Sequence, residues 1–219
     1  MSASSQTGGR QSTTPPPRER ILAAARELFY RRGIHAVGVD AIAETAGTNK
    51  MTLYRHFASK DALVAACLSE LTQEFDAAWN VIAAAHIGDP KGQLVAWLRH
   101  ICDFKEHEAE RGCALANAAV ELPEPDHPAR RVIREYKTAA REQLIRLCRD
   151  AKLADAERLA DQVFLICEGA RVTAQSVGTT GLSARLAGML EALISEHAQR
   201  DNPDEVPGRV RRRRRRRTQ

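Results

Sequence analysis

Val39-Asp40-Ala41-Ile42-Ala43-Glu44-Thr45-Ala46-Gly47-Thr48-Asn49-Lys50-Met51-Thr52-Leu53-Tyr54-Arg55-His56-Phe57 contains two short amphipathic segments on either side of a turn. In the first, Val39, Ile42, Ala43 and Ala46 recur at helical spacing. In the second, Leu53 and Phe57 form an i,i+4 apolar pair, so both helices require a shared core. Gly47 supplies the backbone freedom of a sharp helix-to-helix turn, and Asn49 is a good N-cap for the segment that follows. On a helical wheel Leu53 and Phe57 point one way, while Met51, Thr52, Arg55 and His56 point the other. A second helix that buries one edge and presents donors on the other has the design of a helix-turn-helix reader of DNA. A helical hairpin with a merely solvated polar face shares that pattern, so the flanking sequence has to separate the two.

Upstream, residues 1–17 are rich in Ser, Thr, Gly and Gln and end in Pro15-Pro16-Pro17, a composition that reads as a disordered arm. Arg10, Arg18 and Arg20 are available there for phosphate. Arg18–Arg32 reads as a first helix, with Ile21, Ala24, Ala25, Leu28 and Phe29 on one face and Gly33 as its stop. Downstream, Ser59 is placed to cap a long helix over about 60–85, carrying Leu63, Ala66, Cys67, Leu71, Phe75, Trp79 and Ile82 to the Gly88-Asp89-Pro90 breaker.

Arg-Glu-Arg-Ile-Leu-Ala-Ala-Ala-Arg-Glu-Leu-Phe-Tyr-Arg-Arg-Gly (18–33), followed by the Ile-Ala…Ala-Gly of the second helix, Leu-Tyr-Arg-His-Phe (53–57) and Ser-Lys-Asp-Ala-Leu (59–63), resembles the N-terminal domain of the TetR/AcrR family of transcriptional regulators. The likeness covers about residues 18–67. The chain departs from that pattern in two places. Gly38-Val39 stands where many members carry Thr or Ser, and Thr48-Asn49 replaces the commoner Val-Ser of the turn.

The resemblance implies an all-α protein: a three-helix DNA-binding domain (18–62) followed by a helical ligand-binding and dimerisation bundle (63–200), with an arm before and a tail (201–219) after. It maps Lys50, Thr52, Tyr54, Arg55, His56 and Lys60 onto positions that meet the duplex. Arg55 has the fork geometry for guanine O6 and N7, and Met51 suits a thymine methyl. Tyr54 has a hydroxyl for phosphate, and Lys60 reads as a phosphate clamp. The partners so implied are double-stranded DNA with a palindromic operator, a small-molecule effector and a second copy of the chain.

The remaining sequence is helical on its own terms. Pro90–Lys105, a short apolar stretch 113–122, Pro128–Asp150, 155–176 and 182–199 each carry helical apolar spacing between Pro and Gly breaks. Trp97, His100, Ile101, Phe104, Asn117, Tyr136, Phe164 and Glu168 are the candidates for an effector cavity, since such sites are mostly apolar with few polar anchors. The last two helices bear apolar residues on more than one stripe, with small residues among them. Val163, Ile166, Ala170, Leu186, Met189, Leu190 and Leu193 are the candidates for a four-helix dimer interface.

Composition bounds the alternatives. A chain of 219 residues with 5% aromatic content can bury a sizeable core, and it has no apolar run of about 18 residues and no apolar leader, so a cytoplasmic protein is expected. Five scattered cysteines do not form a disulfide framework. No GxSxG, HExxH, Gly-rich phosphate loop or CxxC is present, so neither an enzyme nor a cofactor or metal is expected. The eight arginines at 209 and 211–217 exceed the net charge of +5, so the rest of the chain is net acidic. Within 18–67, eight Lys and Arg face five Asp and Glu, a local basic excess on the candidate reading domain. The tail leaves open a low-specificity nucleic-acid binder, and a helical ligand-binding protein without DNA readout is the other alternative.

Overall fold

The computed structural model describes residues 14–102, 111–179 and 182–199. Among these, every regular element is an α-helix: α1 Pro17–Arg32, α2 Val39–Thr45, α3 Lys50–His56, α4 Lys60–Ala85, α5 Pro90–Cys102, α6 Ala114–Glu121, α7 Pro128–Asp150, α8 Ala156–Val177 and α9 Leu182–Gln199. The all-α reading is therefore correct, and most helix ends fall at the local signals expected for them. Asn49 caps α3, Ser59 Oγ accepts from Ala62 N at 3.0 Å, and Pro90 and Pro128 start α5 and α7. Pro17, read from the sequence as the end of the arm, instead opens α1, since the fixed φ of proline suits a first helical position.

The helices divide into two compact units, one containing the chain up to Leu71 with Ala114–Ile133, the other Thr72–Cys113 and the chain from Arg134. A boundary at 62/63 differs from this division for a physical reason. Leu63, Val64, Cys67 and Leu68 are buried in the first unit, with Cys67 Sγ 3.9 Å from the Leu22 carbonyl and Arg26 paired to Glu70 at 3.8 Å. The second part of that unit, α6 and the start of α7, buries Leu115, Ala118, Leu122 and Ala129. Its His127 accepts Ala129 N–H on Nδ1 and faces Asp61 with Nε2 at 3.4 Å.

In the second unit one core gathers Trp79, Leu94, Leu98, Leu144, Cys148, Leu159, Val163, Leu186, Leu190 and Ile194 from α4, α5, α7, α8 and α9. The turn from α7 to α8 is left-handed at Asp155 (φ 49°), which makes no side-chain cap. Buried His197 of α9 holds it instead: Nδ1 donates to the Ala154 carbonyl at 2.6 Å, and Ala154 N donates back to the His197 carbonyl at 3.1 Å. No helix of the described residues is long and apolar enough to cross a membrane.

Candidate nucleic-acid interface

The α2–turn–α3 unit is built as its sequence requires. Thr48 N reaches back to the Ala43 carbonyl at 2.9 Å while Gly47 takes φ 60°, the geometry by which a glycine ends a helix. Asn49 Oδ1 then accepts Thr52 N–H at 2.9 Å and starts α3. Ile42, Ala43, Ala46, Leu53 and Phe57 are all buried where α1, α2 and α3 pack on one another. That leaves the opposite edge of α3 in solvent, with Met51 83% and Tyr54 44% exposed and Lys50, Arg55 and His56 exposed beside them. Thr52 is half-buried.

Two of the candidate DNA contacts are already engaged within the chain. Lys50 Nζ lies 3.2 Å from Asp40 Oδ2. Lys60 donates to the Ile34 carbonyl at 2.6 Å with its ammonium 5.9 Å from the Phe29 ring centre, so it anchors the α1–α2 linker whatever else it does. The start of α1 brings two cations against this unit: Arg20 Nη1 donates to the Gly47 carbonyl at 3.4 Å, and the Arg18 guanidinium stacks over Phe57 at 5.4 Å. Arg10 lies outside the described residues.

Sequence spacing gave no sign of Glu121 and His35. Glu121, the last residue of α6, takes Ile34 N–H at 2.6 Å and His35 N–H at 3.2 Å on Oε2, and His35 Nε2 donates to the Glu121 carbonyl at 2.6 Å. Gly33 (φ 85°) permits this approach, since a Cβ there would sit 3.0 Å from the carboxylate.

The effector candidates fall in separate places. Tyr136, Phe164 and Glu168 come together in the second unit: Tyr136 packs on Phe75 (5.6 Å between ring centres), and the Lys137 ammonium lies over Phe164 at 5.6 Å and pairs with Glu168. Burial, then the Asp76 carboxylate, pushes the Tyr136 phenol above its ordinary range. Trp97 stands edge-on to buried Trp79 (4.9 Å) and stacks with exposed His100 (5.5 Å), and Ile101 packs on the same core. Asn117 belongs to the first unit, and Phe104 lies outside the described residues. An open cleft of about 410 Å³, lined by His86, Asp89, Lys91, Gly92, Val95, Ala96 and Arg99, contains none of these candidates.

The dimer candidates are also split. Val163, Leu186 and Leu190 are buried in their own core, Ala170 is buried, and Ile166 and Leu193 are half-buried. Met189 is 55% exposed. Leu165 and Val172, which apolar spacing did not single out, are exposed too, and Gly169 and Gly188 have open space where a Cβ would stand. All five cysteines are free and buried, and no group of three His, Cys, Asp or Glu among the described residues is arranged to hold a metal ion.

A buried-edge, donor-faced second helix on a three-helix frame is the geometry of a helix-turn-helix unit, here followed by further helices. Residues 21–67 match the family described as bacterial regulatory proteins, tetR family. The chain is 36% identical over 106 residues to the HTH-type transcriptional activator FasR of Mycolicibacterium smegmatis, covering 47% of this chain and 48% of that protein. It is 43% identical over 58 residues to the HTH-type transcriptional regulator UidR of Escherichia coli, covering 26% of this chain and 30% of that one. These matches therefore span half or less of the curated relatives. A solved structure, the TetR-family transcriptional regulator SCO4454 from Streptomyces coelicolor, superposes with a TM-score of 0.77 at 28% identity over 83% of this chain and 96% of that chain. Residues 21–67 are thus similar to the DNA-binding domain of the tetR family, and the helical fold is that of a solved TetR-family regulator. Regulators of this family bind operator DNA and small-molecule effectors, typically as dimers.

Proposed function

We propose that the protein is a homodimeric cytoplasmic repressor that places α3 of each subunit in successive major grooves of a palindromic operator and is released by a small molecule. The observation that carries the reading is the α3 edge, where Met51, Tyr54, Arg55 and His56 are exposed while Leu53 and Phe57 are buried behind them. In this reading Arg55 addresses a base edge, Met51 a thymine methyl, and Lys50, Thr52, Tyr54, His56 and Lys60 the phosphates or neighbouring bases. The exposed side of α8 and α9, with Leu165, Gly169, Val172, Gly188 and Met189, is the face offered to the second subunit. The Tyr136, Phe164 and Glu168 group is the place offered to the effector. The effector acts by binding one conformational state more tightly than the other. One relative is named an activator, but the sign of regulation follows from where the site lies relative to the promoter, and the reading head is the same for either.

A footprint on the DNA flanking the gene, followed by a promoter fusion in cells with and without the protein, tests this. A protected inverted repeat and a promoter that rises when the protein is removed are the expected results. Uniform protection without a repeat, or a promoter that falls, contradicts the specific reading and the repressor assignment respectively.

A further inference from the structure

The start of α2 has no side-chain cap. Its N-cap residue is Gly38 (φ −82°, ψ 154°), which carries no acceptor. A helix whose first N–H groups are unclaimed is not held at a fixed angle by its own sequence. Yet α2 braces the reading helix α3, so its entry has to be fixed by something else.

The linker ahead of it is held from outside at four polar groups on two consecutive residues. Glu121 Oε2 accepts Ile34 N–H and His35 N–H, Lys60 donates to the Ile34 carbonyl, and His35 Nε2 returns a bond to the Glu121 backbone. Ile34 is 6% exposed, so its N–H has little water to turn to once the carboxylate is removed. Val37, also buried, then delivers the chain to Gly38.

We propose that Glu121 is a positioning residue for DNA reading: it replaces the missing α2 cap by clamping Ile34 and His35, and thereby sets the placement of α3. The idea rests on α3 being the DNA-reading helix. It makes a prediction of unusual sign. Removing a carboxylate from a DNA-binding domain should by charge alone tighten binding to a polyanion. If Glu121 acts by position, its removal loosens binding instead.

The experiment uses the full chain and a duplex selected by the wild-type protein from a random-sequence library. Affinity is measured for E121A, E121D and E121Q well below each thermal midpoint, with amide exchange at Ile34 and His35 followed alongside. E121D keeps the charge but is one methylene too short, and E121Q keeps the length and an acceptor oxygen without the charge. E121A and E121D are expected to bind about tenfold more weakly, with fast exchange at Ile34 and His35. E121Q should stay within about threefold of wild type, and the salt dependence should be unchanged in all three, because no phosphate contact is removed. A Cβ at Gly38 meets no atom within 4 Å, so G38S supplies a cap and should recover part of the affinity lost in E121D.

Wild-type affinity in E121D, tighter binding in E121A, or E121D that no longer folds each overturns the proposal, the last because the clamp would then determine the fold rather than the placement of α3. If the wild-type chain selects no sequence at all, it is the DNA-reading assignment that fails, and the two failures are told apart.

Discussion

The Lys50 ammonium sits 3.2 Å from the Asp40 carboxylate across the turn between α2 and α3, although both side chains are more than half exposed. An exposed pair of this kind contributes about 0–1 kcal/mol, and it is a competitor: a phosphate that takes Lys50 must displace Asp40. Asp40→Asn should therefore tighten binding to any duplex by up to about fivefold at low salt, cognate or not. Fluorescence anisotropy on both kinds of duplex checks it, and weaker binding would mean that Asp40 itself supports the DNA-bound geometry.

Arg55 and Lys60 should separate sharply in mutation. Arg55→Ala is expected to lose about 1–3 kcal/mol at one base pair and to leave the others unaffected. A variant with unchanged base preference would remove Arg55 from the readout. Lys60 has three donor protons, and one is spent on Ile34. Lys60→Ala should thus cost about 1 kcal/mol of folding stability and weaken all duplexes alike, lowering the salt slope by about 0.9. A stability loss with an unchanged slope would leave Lys60 as a linker anchor alone.

Which of these features were legible in the sequence follows a physical rule. Gly33, Asn49, Ser59, Pro90 and Pro128 act on their own neighbours, so these helix ends and the orientation of α3 could be read from spacing. Glu121 acts across 87 positions to Ile34, and His197 across 43 to Ala154, where no periodicity connects donor and acceptor. Both stand in for a missing local cap, at Gly38 and Asp155. The dimer candidates divide between core and surface for a different reason. An apolar stripe that meets its own core and one that meets another subunit have the same composition. Val163, Leu186 and Leu190 turn inward while Leu165, Val172 and Met189 face out.

The buried thiols predict a loss of stability in base. Burial raises Cys67 and Cys167 to about 12 and Cys148 to about 11, from an ordinary 9.0, and raises Cys102 in the same direction. Above pH 9 the unfolded thiols ionise while the folded ones keep their protons, so the unfolded state gains. Stability is fully present below about pH 9 and falls between 9 and 11–12, by at most about 1.4 kcal/mol per pH unit for each thiol. Urea midpoints at pH 8 and pH 10 measure this. Cys167→Ala should lower the midpoint at both and narrow the difference between them, and an equal difference would assign the loss to other groups. The same protection predicts that native protein leaves its thiols unmodified by a maleimide at pH 8.

Leu165 and Met189 carry the prediction for assembly. Leu165 is 69% and Met189 55% exposed, and neither contributes to its own core, so charge at either should leave the subunit folded. Leu165→Asp and Met189→Arg are each expected to shift sedimentation from dimer to monomer at micromolar concentration with little change in helical content. Operator affinity should fall steeply in both, because two half-sites would no longer be engaged together. A variant that stays dimeric excludes this face from the interface.

The arginine block at 211–217 makes a prediction of its own, independent of the reading helix. Seven adjacent cations with Arg209 repel one another and attract any polyanion, and each phosphate neutralised releases about 0.9 of a counterion. A chain ending at Asp201 should lose affinity for non-cognate DNA at low salt, with a salt slope shallower by as much as about 7. Preference for the operator over random duplex should rise in the same variant. The tail would add equally to both, whereas the proposed reading gives discrimination to Arg55 and its neighbours on α3. Because the eight charges exceed the chain's net +5, the shortened protein is net acidic, and its remaining affinity would report the local basic excess of residues 18–67 alone. Unchanged non-cognate binding after truncation would leave the tail without a role on DNA.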